Sequence, residues 1–303
     1  LIKKTKHLFN NNYLLITTDT IKLEKDLSLE PSILKTEKSY FAGQRELPSP
    51  IPATKDSDIS FNFEAFNDPK ARKIWSFADA NKFGSSINKA YMGPLNISTK
   101  EEIVVAVIDT GVDYNHEDLK DAMWVNTQEI PNNGIDDDGN GYIDDIHGIN
   151  TLNRDSEGNA SGNPMASHAH GTHVSGTIAA TQNNNIGIAG IASQVKIMAI
   201  RTVPDASDET DADVVESLLY AAEQGAKIIN CSFGKNHNEG GMIVNETIHH
   251  IGKEYGVLVI AAAGNDYGRN IDERLTYPAS FKSEFLLVTA STSRRGGLSW
   301  FSI

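Results

Sequence analysis

The chain has 303 residues, 39% of them hydrophobic and 22% charged, which is typical of one large globular domain or two of ordinary size. Its formal net charge of −13, from 27 Lys+Arg and 40 Asp+Glu, argues against nucleic acid as the main partner and fits binding of calcium or cationic peptides. The single cysteine, Cys231, excludes a disulfide within the chain, and no apolar run approaches the ~18–20 residues of a membrane span.

The two ends of the sequence carry no start or stop signal. Leu1 is not a methionine, no signal peptide follows it, and the chain closes with the apolar stretch Ser299–Ile303. We therefore expect an internal piece of a longer polypeptide, for which a missing signal peptide does not establish a cytosolic origin.

The first 60 residues differ in composition from the remainder. Within residues 1–45, Tyr13–Thr18 is predicted to be a strand and Thr20–Leu29 a short amphipathic helix, and Ile33 begins another candidate strand. A unit this small buries little surface alone, so it needs the rest of the chain as a partner. Residues 46–60, with three prolines among small polar residues, are predicted to be an exposed, cleavable linker.

From about residue 61 the sequence alternates between apolar strands and amphipathic helices. The run Ile103–Ile108 is typical of a strand buried on both faces of a parallel sheet. Apolar stripes predict one helix over Val214–Ala222, closed by Gly225, and another over Ile243–Ile251. Further strands are predicted over Lys196–Val203, Lys227–Phe233, Val257–Ala263 and Phe285–Ala290. This alternation indicates an α/β domain with a largely parallel sheet, whose active site would lie at the carboxyl ends of the strands.

One acid stands at such a strand end. Asp109 closes the run Ile103–Ile108 and is followed by a Thr-Gly turn. A carboxylate there is able to orient an imidazole and to stabilise its charged form. It could equally bind a metal or a ribose hydroxyl, although no Gly-x-Gly-x-x-Gly follows a strand, which disfavours the ribose alternative.

An acidic loop with two glycines follows at residues 136–145. Its oxygen-bearing residues alternate along the chain, so they are able to converge on one hard cation. The ligands that we expect are Asp136, Asp138, Asn140, the Tyr142 carbonyl and Asp144 or Asp145. The spacing resembles an EF-hand loop, but His147 stands where the glutamate of the twelfth position is expected. We predict structural Ca²⁺ here, with an acidic solvated turn as the alternative.

The stretch His168–Ala180 is predicted to be a turn that leads into a helix of small residues. His170 would lie at the helix start, where the positive end of the dipole disfavours imidazolium and keeps a neutral ring that accepts a proton. Two alternatives remain open. His170 could be a satisfied core histidine, or it could bind a metal together with His168 and His173, since His170 and His173 share a helix face.

A polar side chain also follows the apolar strand predicted over Val257–Ala263. The strand ends in Gly264-Asn265, and an amide at this place is able to donate a hydrogen bond to negative charge that develops on a substrate oxygen. The alternative is an ordinary Gly-Asn turn.

Three of these stretches together resemble the subtilisin-like serine peptidases. Val107–Val112, His170–Gly176 and Ala262–Asn265 are similar to the Asp, His and oxyanion-hole motifs of that family and occur in its order. The resemblance covers roughly residues 61–303 and implies a three-layer α/β fold with helices on both faces of the sheet. The catalytic roles that it implies are orienting acid for Asp109, general base and then acid for His170, and oxyanion donor for Asn265.

The resemblance also implies binding sites. Ile229–Gly234 is similar to the strand that pairs with an extended substrate and lines the first specificity pocket, and Tyr277–Ser280 is similar to a Tyr-Pro-Ala turn whose proline bond is often cis. The implied substrate-binding residues are Ser232, Phe233, Gly234, Ala263 and Gly264. The implied ligands of a second calcium ion are Asp68, Asp118 and Asn184, with carbonyls near Gln182, Ile186 and Ile188.

By the same resemblance, residues 1–45 look like the tail of a propeptide that assists folding and is removed. Residues 61–303 look like the front portion of the peptidase domain. The resemblance also implies that the protein is secreted or lies in the cell envelope (periplasmic). The family's nucleophile lies in a Gly-Thr-Ser-Met-Ala motif, which this sequence lacks. The resemblance therefore implies a serine beyond Ile303, a fold that is incomplete at its C-terminus, and a chain that is nearly inactive alone.

Five acids crowd the segment that in the family flanks the substrate cleft: Asp205, Asp208, Glu209, Asp211 and Asp213. They either form a solvated entry to a helix or give the peptidase a preference for substrates with basic residues a few positions before the cleaved bond.

The sequence thus predicts a serine endopeptidase with calcium as structural cofactor, a peptide or protein substrate and its own propeptide as partners, no nucleic acid and no membrane span. The main alternative is a non-catalytic, calcium-stabilised binding protein, a pseudoprotease. A zinc hydrolase that uses His168, His170 and His173 is more distant, because no glutamate partner lies near them. The complete motifs around Asp109 and His170 favour the peptidase.

Overall fold

The computed structural model describes residues 2–9, 12–17, 63–93, 102–238, 242–266 and 270–303. The strands are β1 Ile2–His7, β2 Tyr13–Thr17, β3 Ile103–Asp109, β4 Gly148–Arg154, β5 Ala160–Ser161, β6 Val195–Arg201, β7 Ile228–Cys231, β8 Leu258–Ala262 and β9 Leu286–Thr289. The α-helices are α1 Ile87–Tyr91, α2 Ala169–Ala179, α3 Asp211–Glu223 and α4 Ile243–Tyr255. Short 3₁₀ turns lie at Ala71–Lys73, Trp75–Phe77, Ala80–Lys82 and Lys120–Ala122.

Seven strands form one sheet in the order β5-β4-β6-β3-β7-β8-β9. Neighbouring strands are parallel, except that the short β5 runs antiparallel to β4. The centre of the sheet is β3, which pairs with β6 on one side and with β7 on the other. The carboxyl ends of β3, β6, β7 and β8 therefore lie along one edge of the sheet.

Helices cover both faces of this sheet. On one face, Val105 and Val107 of β3 pack with Ala179 of α2. On the other face, Ala106 and Ile108 belong to a larger core that contains the apolar sides of α3 and α4. The predicted three-layer α/β fold is confirmed, and β3 is buried on both faces as its continuous apolar run indicates.

The predicted strands and helices of this domain are confirmed, with strand ends that differ by one or two residues and helices that are longer than predicted. The predicted strand Lys227–Phe233 is reduced to β7, because its last two residues continue past the pairing with β3 and β8. The predicted helix over Val214–Ala222 begins at Asp211, with Thr210 as its N-cap, and Gly225 follows its end with φ +89°. The proline bond at Tyr277-Pro278 is cis. The sequence did not predict β4, since asparagines and an arginine interrupt its apolar pattern, or β5, which has only two residues.

The N-terminal hairpin forms a separate two-stranded antiparallel sheet from β1 and β2. The predicted strand Tyr13–Thr18 is confirmed as β2, whereas the lysine-rich β1 has no apolar run from which to predict it. The predicted helix Thr20–Leu29, the candidate strand at Ile33 and the predicted linker 46–60 lie outside the described residues.

Two side chains connect this hairpin to the larger unit. Phe9 is 5% exposed and stacks on His250 of α4, with ring centroids 4.5 Å apart. The Lys6 ammonium lies 3.4 Å from a carboxylate oxygen of Glu216 on α3. The hairpin therefore packs against the same two helices that cover the second face of the sheet. Within the described residues, no helix is both long and apolar enough to cross a bilayer.

Candidate active site

Asp109 lies at the carboxyl end of β3 with its side chain 1% exposed. Its Oδ1 accepts a hydrogen bond from the backbone N–H of Thr110 at 2.7 Å. Its carbonyl accepts from the N–H groups of Thr202 and Val203, just after β6, at 2.9 and 3.1 Å. Asp109 is thus fixed by β3 and by the residues that follow β6. The carboxylate oxygens also accept a hydrogen bond from the side of α2.

His170 meets this carboxylate from the first turn of α2. Its Nδ1 lies 2.8 Å from Oδ1 and 3.0 Å from Oδ2 of Asp109, and its side chain is 19% exposed. Because a carboxylate only accepts hydrogen bonds, Nδ1 carries the hydrogen in this pair and Nε2 is left as a proton acceptor. The start of the helix is fixed by His168, whose Nδ1 accepts from the His170 N–H at 3.1 Å.

A threonine locks the two elements together. The Thr110 hydroxyl donates to the His168 carbonyl at 3.2 Å and accepts from the Gly171 N–H at 3.1 Å. Sequence reasoning assigned Thr110 only to a turn and missed this contact, because its partners lie about 60 residues away. The geometry is that of a general base oriented by a buried acid.

Gly171 is where α2 approaches the acid most closely. An added Cβ at Gly171 would lie 2.2 Å from the Gly111 carbonyl oxygen and 3.1 Å from Oδ1 of Asp109. We expect Gly171→Ala to lower the free energy of unfolding by ~1–3 kcal/mol, since the backbone has to move to admit the methyl group. Gly176→Ala on the same helix is the control, because its Cβ would meet only Ile188 at 3.9 Å, and it gains up to ~1 kcal/mol of helix propensity. Denaturant unfolding of both variants measures the difference, and equal stabilities would contradict the close approach.

The three histidines of this stretch do not gather as metal ligands. His173 lies one turn further along α2 with an exposed side chain, and the His168 ring already caps the helix. Among the described residues, one group of possible metal ligands lies close enough together to share an ion. That group lies elsewhere in the structure and contains only acidic side chains. This placement disfavours the zinc alternative.

The expected oxyanion donor lies at the end of β8, on the same edge of the sheet. Ala263 is buried and its N–H donates to the Thr289 carbonyl of β9 at 2.9 Å. Gly264 has φ +129°, which favours glycine, and Asn265 is exposed. The turn therefore brings the side-chain amide to the surface beyond the strand end.

The segment Ser232–Gly234 leaves the sheet after β7. The side chain of Asn230 donates to the Ser232 hydroxyl at 2.8 Å, and Phe233 is buried at 5% exposure. Backbone bonds of 3.0 and 2.9 Å join Lys235 to Tyr277 in an antiparallel bridge. The predicted substrate-binding residues thus follow the carboxyl ends of two neighbouring parallel strands, β7 and β8.

The acidic segment after β6 is mostly engaged within the protein. Asp211 lies 2.8 Å from the Lys235 ammonium, Asp213 lies 2.6 Å from the Arg154 guanidinium, and Glu209 is 1% exposed. Burial raises the pKa of Asp213, and Arg154 counteracts that rise. The two others are less buried: Asp208 is half-buried, and the exposed Asp205 accepts from the Ser167 hydroxyl at 2.6 Å. These contacts favour a structural role over a preference for basic substrates.

Three carboxylates converge next to the acidic loop. Glu129, Asp138 and Asp145 offer oxygen atoms that all lie within 4.8 Å of one another. Asp145 is fully buried and Glu129 is 6% exposed. Burial raises the pKa of Asp145 to about 6, and the Asp138 charge adds to that rise, although hydrogen bonds from neutral neighbours oppose it.

Two asparagines join this cluster. Asn126 donates to Asp138 and to Asp145 at 2.9 Å each, and Asn140 donates to the same two carboxylates at 3.1 and 3.0 Å. Their amide oxygens accept instead from the backbone N–H groups of Gln128 and Tyr142, at 3.1 and 2.8 Å. The ligands that the cluster offers are therefore hard carboxylate oxygens, which suit Ca²⁺. Sequence reasoning missed Glu129 and Asn126, since they precede the loop and belong to no ligand spacing.

The structure brings together only part of the predicted first ligand set. Asp138, Asn140 and Asp145 are in the cluster. Asp136 accepts from the N–H groups of Asn140 and Gly141, at 3.1 and 2.8 Å, and stabilises the turn. Asp144 has φ +54° and accepts from two N–H groups at residues 133–134, at 3.1 and 3.0 Å.

The residues of the implied second calcium site lie together. Asp68 and Asp118 are buried at 4% and 3% exposure. Asn184 connects them, because its N–H donates to Asp68 at 3.1 Å and its side-chain amide donates to Asp118 at 2.8 Å. Asp118 also accepts from the Ile188 N–H at 3.1 Å.

Comparison with known proteins agrees with this fold. The sequence profile of the subtilase family, the S8 peptidases, matches residues 100–302. Because this match spans more than half of the chain, the protein belongs to the subtilase family.

Several relatives are similar over this region. Subtilisin-like protease 1 of Plasmodium falciparum (isolate 3D7) is 38% identical over 162 residues, which are 53% of this chain and 22% of that protein. The halolysin-like extracellular serine protease Nep of Natrialba magadii is 31% identical over 203 residues, 67% of this chain and 32% of that protein. Thermitase of Thermoactinomyces vulgaris is 30% identical over 198 residues, which are 65% of this chain and 58% of that protein. The chain thus spans less than two thirds of these relatives.

Among solved structures, the S41 psychrophilic protease superposes with a TM-score of 0.52 at 22% identity, covering 72% of this chain and 64% of that one. The epidermin leader peptide processing serine protease of Staphylococcus aureus superposes with a TM-score of 0.50 at 24% identity, covering 71% and 53%. These superpositions show that the chain shares its fold with the two proteases.

Proposed function

We propose that this chain forms the part of a serine endopeptidase that carries Asp109, His170 and Asn265. The observation that carries the proposal is the 2.8 Å contact between the buried Asp109 carboxylate and His170 Nδ1, on a subtilase fold. The nucleophilic serine would lie beyond residue 303, since the Gly-Thr-Ser-Met-Ala motif does not occur in the sequence. The described chain alone would then be nearly inactive.

In the proposed reaction, Nε2 of His170 takes the proton from the serine hydroxyl as its oxygen bonds to the substrate carbonyl carbon. Asp109 holds the ring and stabilises the imidazolium. Nε2 then gives the proton to the departing amine as the C–N bond breaks, which leaves an acyl-enzyme. A water molecule repeats the sequence, releases the acid product and returns the proton to serine.

The region beyond the carboxyl ends of β7 and β8 is the proposed substrate site. A peptide would lie there as an extended strand along Ser232–Gly234, with Ala263 and Gly264 on the opposite side. The exposed amide of Asn265 would donate to the carbonyl oxygen as it becomes negative. In subtilisin, removal of such an asparagine costs ~10²–10³ in kcat.

A fluorophosphonate probe tests the proposal on the natural full-length protein. An activated serine forms a bond to phosphorus and expels fluoride, so intact mass reports the adduct and peptide mapping locates it. We expect one labelled serine after residue 303, and no labelling when His170 is changed to alanine. A folded, calcium-loaded and propeptide-free protein that takes no label would contradict the peptidase and support the pseudoprotease.

We also propose Ca²⁺ as a structural cofactor. Glu129, Asp138 and Asp145, with Asn126 and Asn140 beside them, would hold one ion, whose two positive charges would offset most of the repulsion among the three carboxylates. A second ion is proposed near Asp68, Asp118 and Asn184. In both places calcium would stabilise loops and would take no part in the proton transfers.

Residues 1–45 are proposed to belong to a propeptide, residues 46–60 to a cleavable linker, and residues 61–303 to the peptidase domain. The packing of Phe9 on His250 and of Lys6 near Glu216 supports a hairpin that binds the folded domain through α3 and α4. Secretion, or residence in the cell envelope, is proposed because the family includes the extracellular protease of Natrialba magadii.

A further inference from the structure

Lys235 is a buried lysine whose side chain joins two segments that are distant in the sequence. The residue is 4% exposed and follows directly after Ser232–Gly234. Its ammonium lies 2.8 Å from a carboxylate oxygen of Asp211 and donates to the Glu209 carbonyl at 2.9 Å. Its backbone forms the antiparallel bridge with Tyr277. One residue thus connects the chain that follows β7 to two other parts of the domain.

A contribution to stability explains this ion pair poorly. Lysine is rarely buried, and replacing a buried ion pair by apolar side chains of similar volume often leaves stability unchanged or raises it. The ammonium also lies beside the first turn of α3, where the positive end of the helix dipole disfavours a cation. Asp211, the first residue of that helix, offsets this charge. The pair is therefore better suited to fixing the position of the chain than to stabilising the fold.

The two segments that Lys235 joins lie on either side of the strand that carries the proposed catalytic acid. Glu209 and Asp211 follow β6, whereas Lys235 follows β7. In the sheet, β6 and β7 are the two neighbours of β3, whose carboxyl end is Asp109. The lysine side chain therefore sets the spacing between the chain segments that flank Asp109 at this edge of the sheet.

We infer that Lys235 is a positioning residue for an extended substrate. Its ammonium is buried against Asp211 and Glu209, so it acts on the peptide only by holding Ser232–Gly234 in place. This inference rests on the proposed function, which lays the substrate along Ser232–Gly234. A displacement of about 1 Å far from the reacting atoms is able to lower a rate ~10²-fold. The effect should grow with the length of the peptide, because a single residue makes few contacts with this segment.

The test uses the natural full-length protein and two nitrophenyl esters, one of an acetylated tetrapeptide and one of its acetylated last residue alone. Lys235→Met removes the ammonium and nearly keeps the length of the side chain. We expect kcat/KM for the tetrapeptide ester to fall ~10–100-fold, and that for the short ester to stay within about twofold of the wild type. Lys227→Met is the matched control, because Lys227 is exposed before β7 and also donates to a backbone carbonyl, that of Tyr255 at 3.1 Å. It should leave both esters unchanged.

A double variant separates loss of position from loss of folding. Lys235→Met removes the ion-pair partner of the Asp211 carboxylate, and breaking a buried pair from one side is strongly destabilising. Lys235→Met with Asp211→Leu removes both charges, so its Tm should lie closer to that of the wild type. The tetrapeptide ester should still lose rate relative to the short ester. Equal losses for the two esters in the double variant, or a tetrapeptide rate at the wild-type level, would overturn the inference.

Peptide binding separates this inference from the proposed function. A fluorescent tetrapeptide amide, titrated by anisotropy into a His170→Ala background, should bind ~10-fold more weakly once Lys235→Met is added. If the wild type cleaves neither ester, the proposed function fails, while the change in Kd still tests Lys235. A Kd that is the same with and without Lys235→Met would contradict the positioning role.

Discussion

Replacing His170 by alanine is expected to lower kcat for peptide hydrolysis by the natural protein on the order of 10⁶-fold, the loss measured when subtilisin loses its histidine. Asp109→Ala should cost ~3 × 10⁴-fold, again by analogy with subtilisin, because the ring would remain but lose its orientation. The double variant should be no slower than His170→Ala, since the 2.8 Å pair acts as one unit. Initial rates on one peptide measure all three losses.

His173→Ala is the control for these variants. Its side chain is exposed on the same helix, and kcat should stay within about tenfold of the wild type. A zinc hydrolase built on the three histidines would instead lose its activity in His173→Ala as well. Losses in the single variants that multiplied in the double variant would show that Asp109 and His170 act independently.

Calcium should stabilise the natural protein strongly, and Asp145 should control much of that effect. At a free concentration of 100 Kd, one ion contributes ~2.7 kcal/mol, which is a rise in Tm of roughly 5–10 °C for a domain of this size. Asp145→Asn should remove one bound ion and its share of the rise. In chelator the same variant should melt higher than the wild type, because it lacks a buried charge whose pKa is raised to about 6.

Glu157→Gln is the matched control for the loss of one negative charge. Glu157 is exposed and lies outside the acidic cluster, so its Tm should follow the wild type with calcium and with chelator. Calorimetric titration gives the number of ions directly. An Asp145→Asn protein that binds as many ions as the wild type would place the calcium elsewhere.

The pair Asp109–His170 was predictable because each residue lies within a strong local signal. A continuous apolar run located β3, the rule on strand ends located the acid, and the turn before a small-residue helix located the histidine. Their contact follows from α2 packing on β3. Thr110, which joins them, has no local signal, since its hydroxyl partners come from another element.

The acidic loop was harder to predict. Alternating oxygens located the region but did not distinguish ligands from turn-stabilising residues, and so Asp136 and Asp144 were placed beside Asp138. The backbone conformation decides this, because the positive φ of Asp144 turns its carboxylate toward another part of the loop. The third carboxylate, Glu129, comes from tertiary structure that no spacing encodes.

The position of β3 also determines when the protein is able to fold during synthesis. Both of its neighbours, β6 and β7, follow it in the sequence, and its pairing with β6 begins at Val195, about 90 residues after Ile103. At 5–20 residues per second, the ribosome needs roughly 5–20 s to make that stretch. During this time the apolar central strand has been synthesised but lacks both of the strands with which it pairs, and it is therefore exposed to aggregation. Asp109 and His170 are both synthesised before β6. The strand that completes one side of β3 is therefore made after both residues, although it contributes no side chain to their contact.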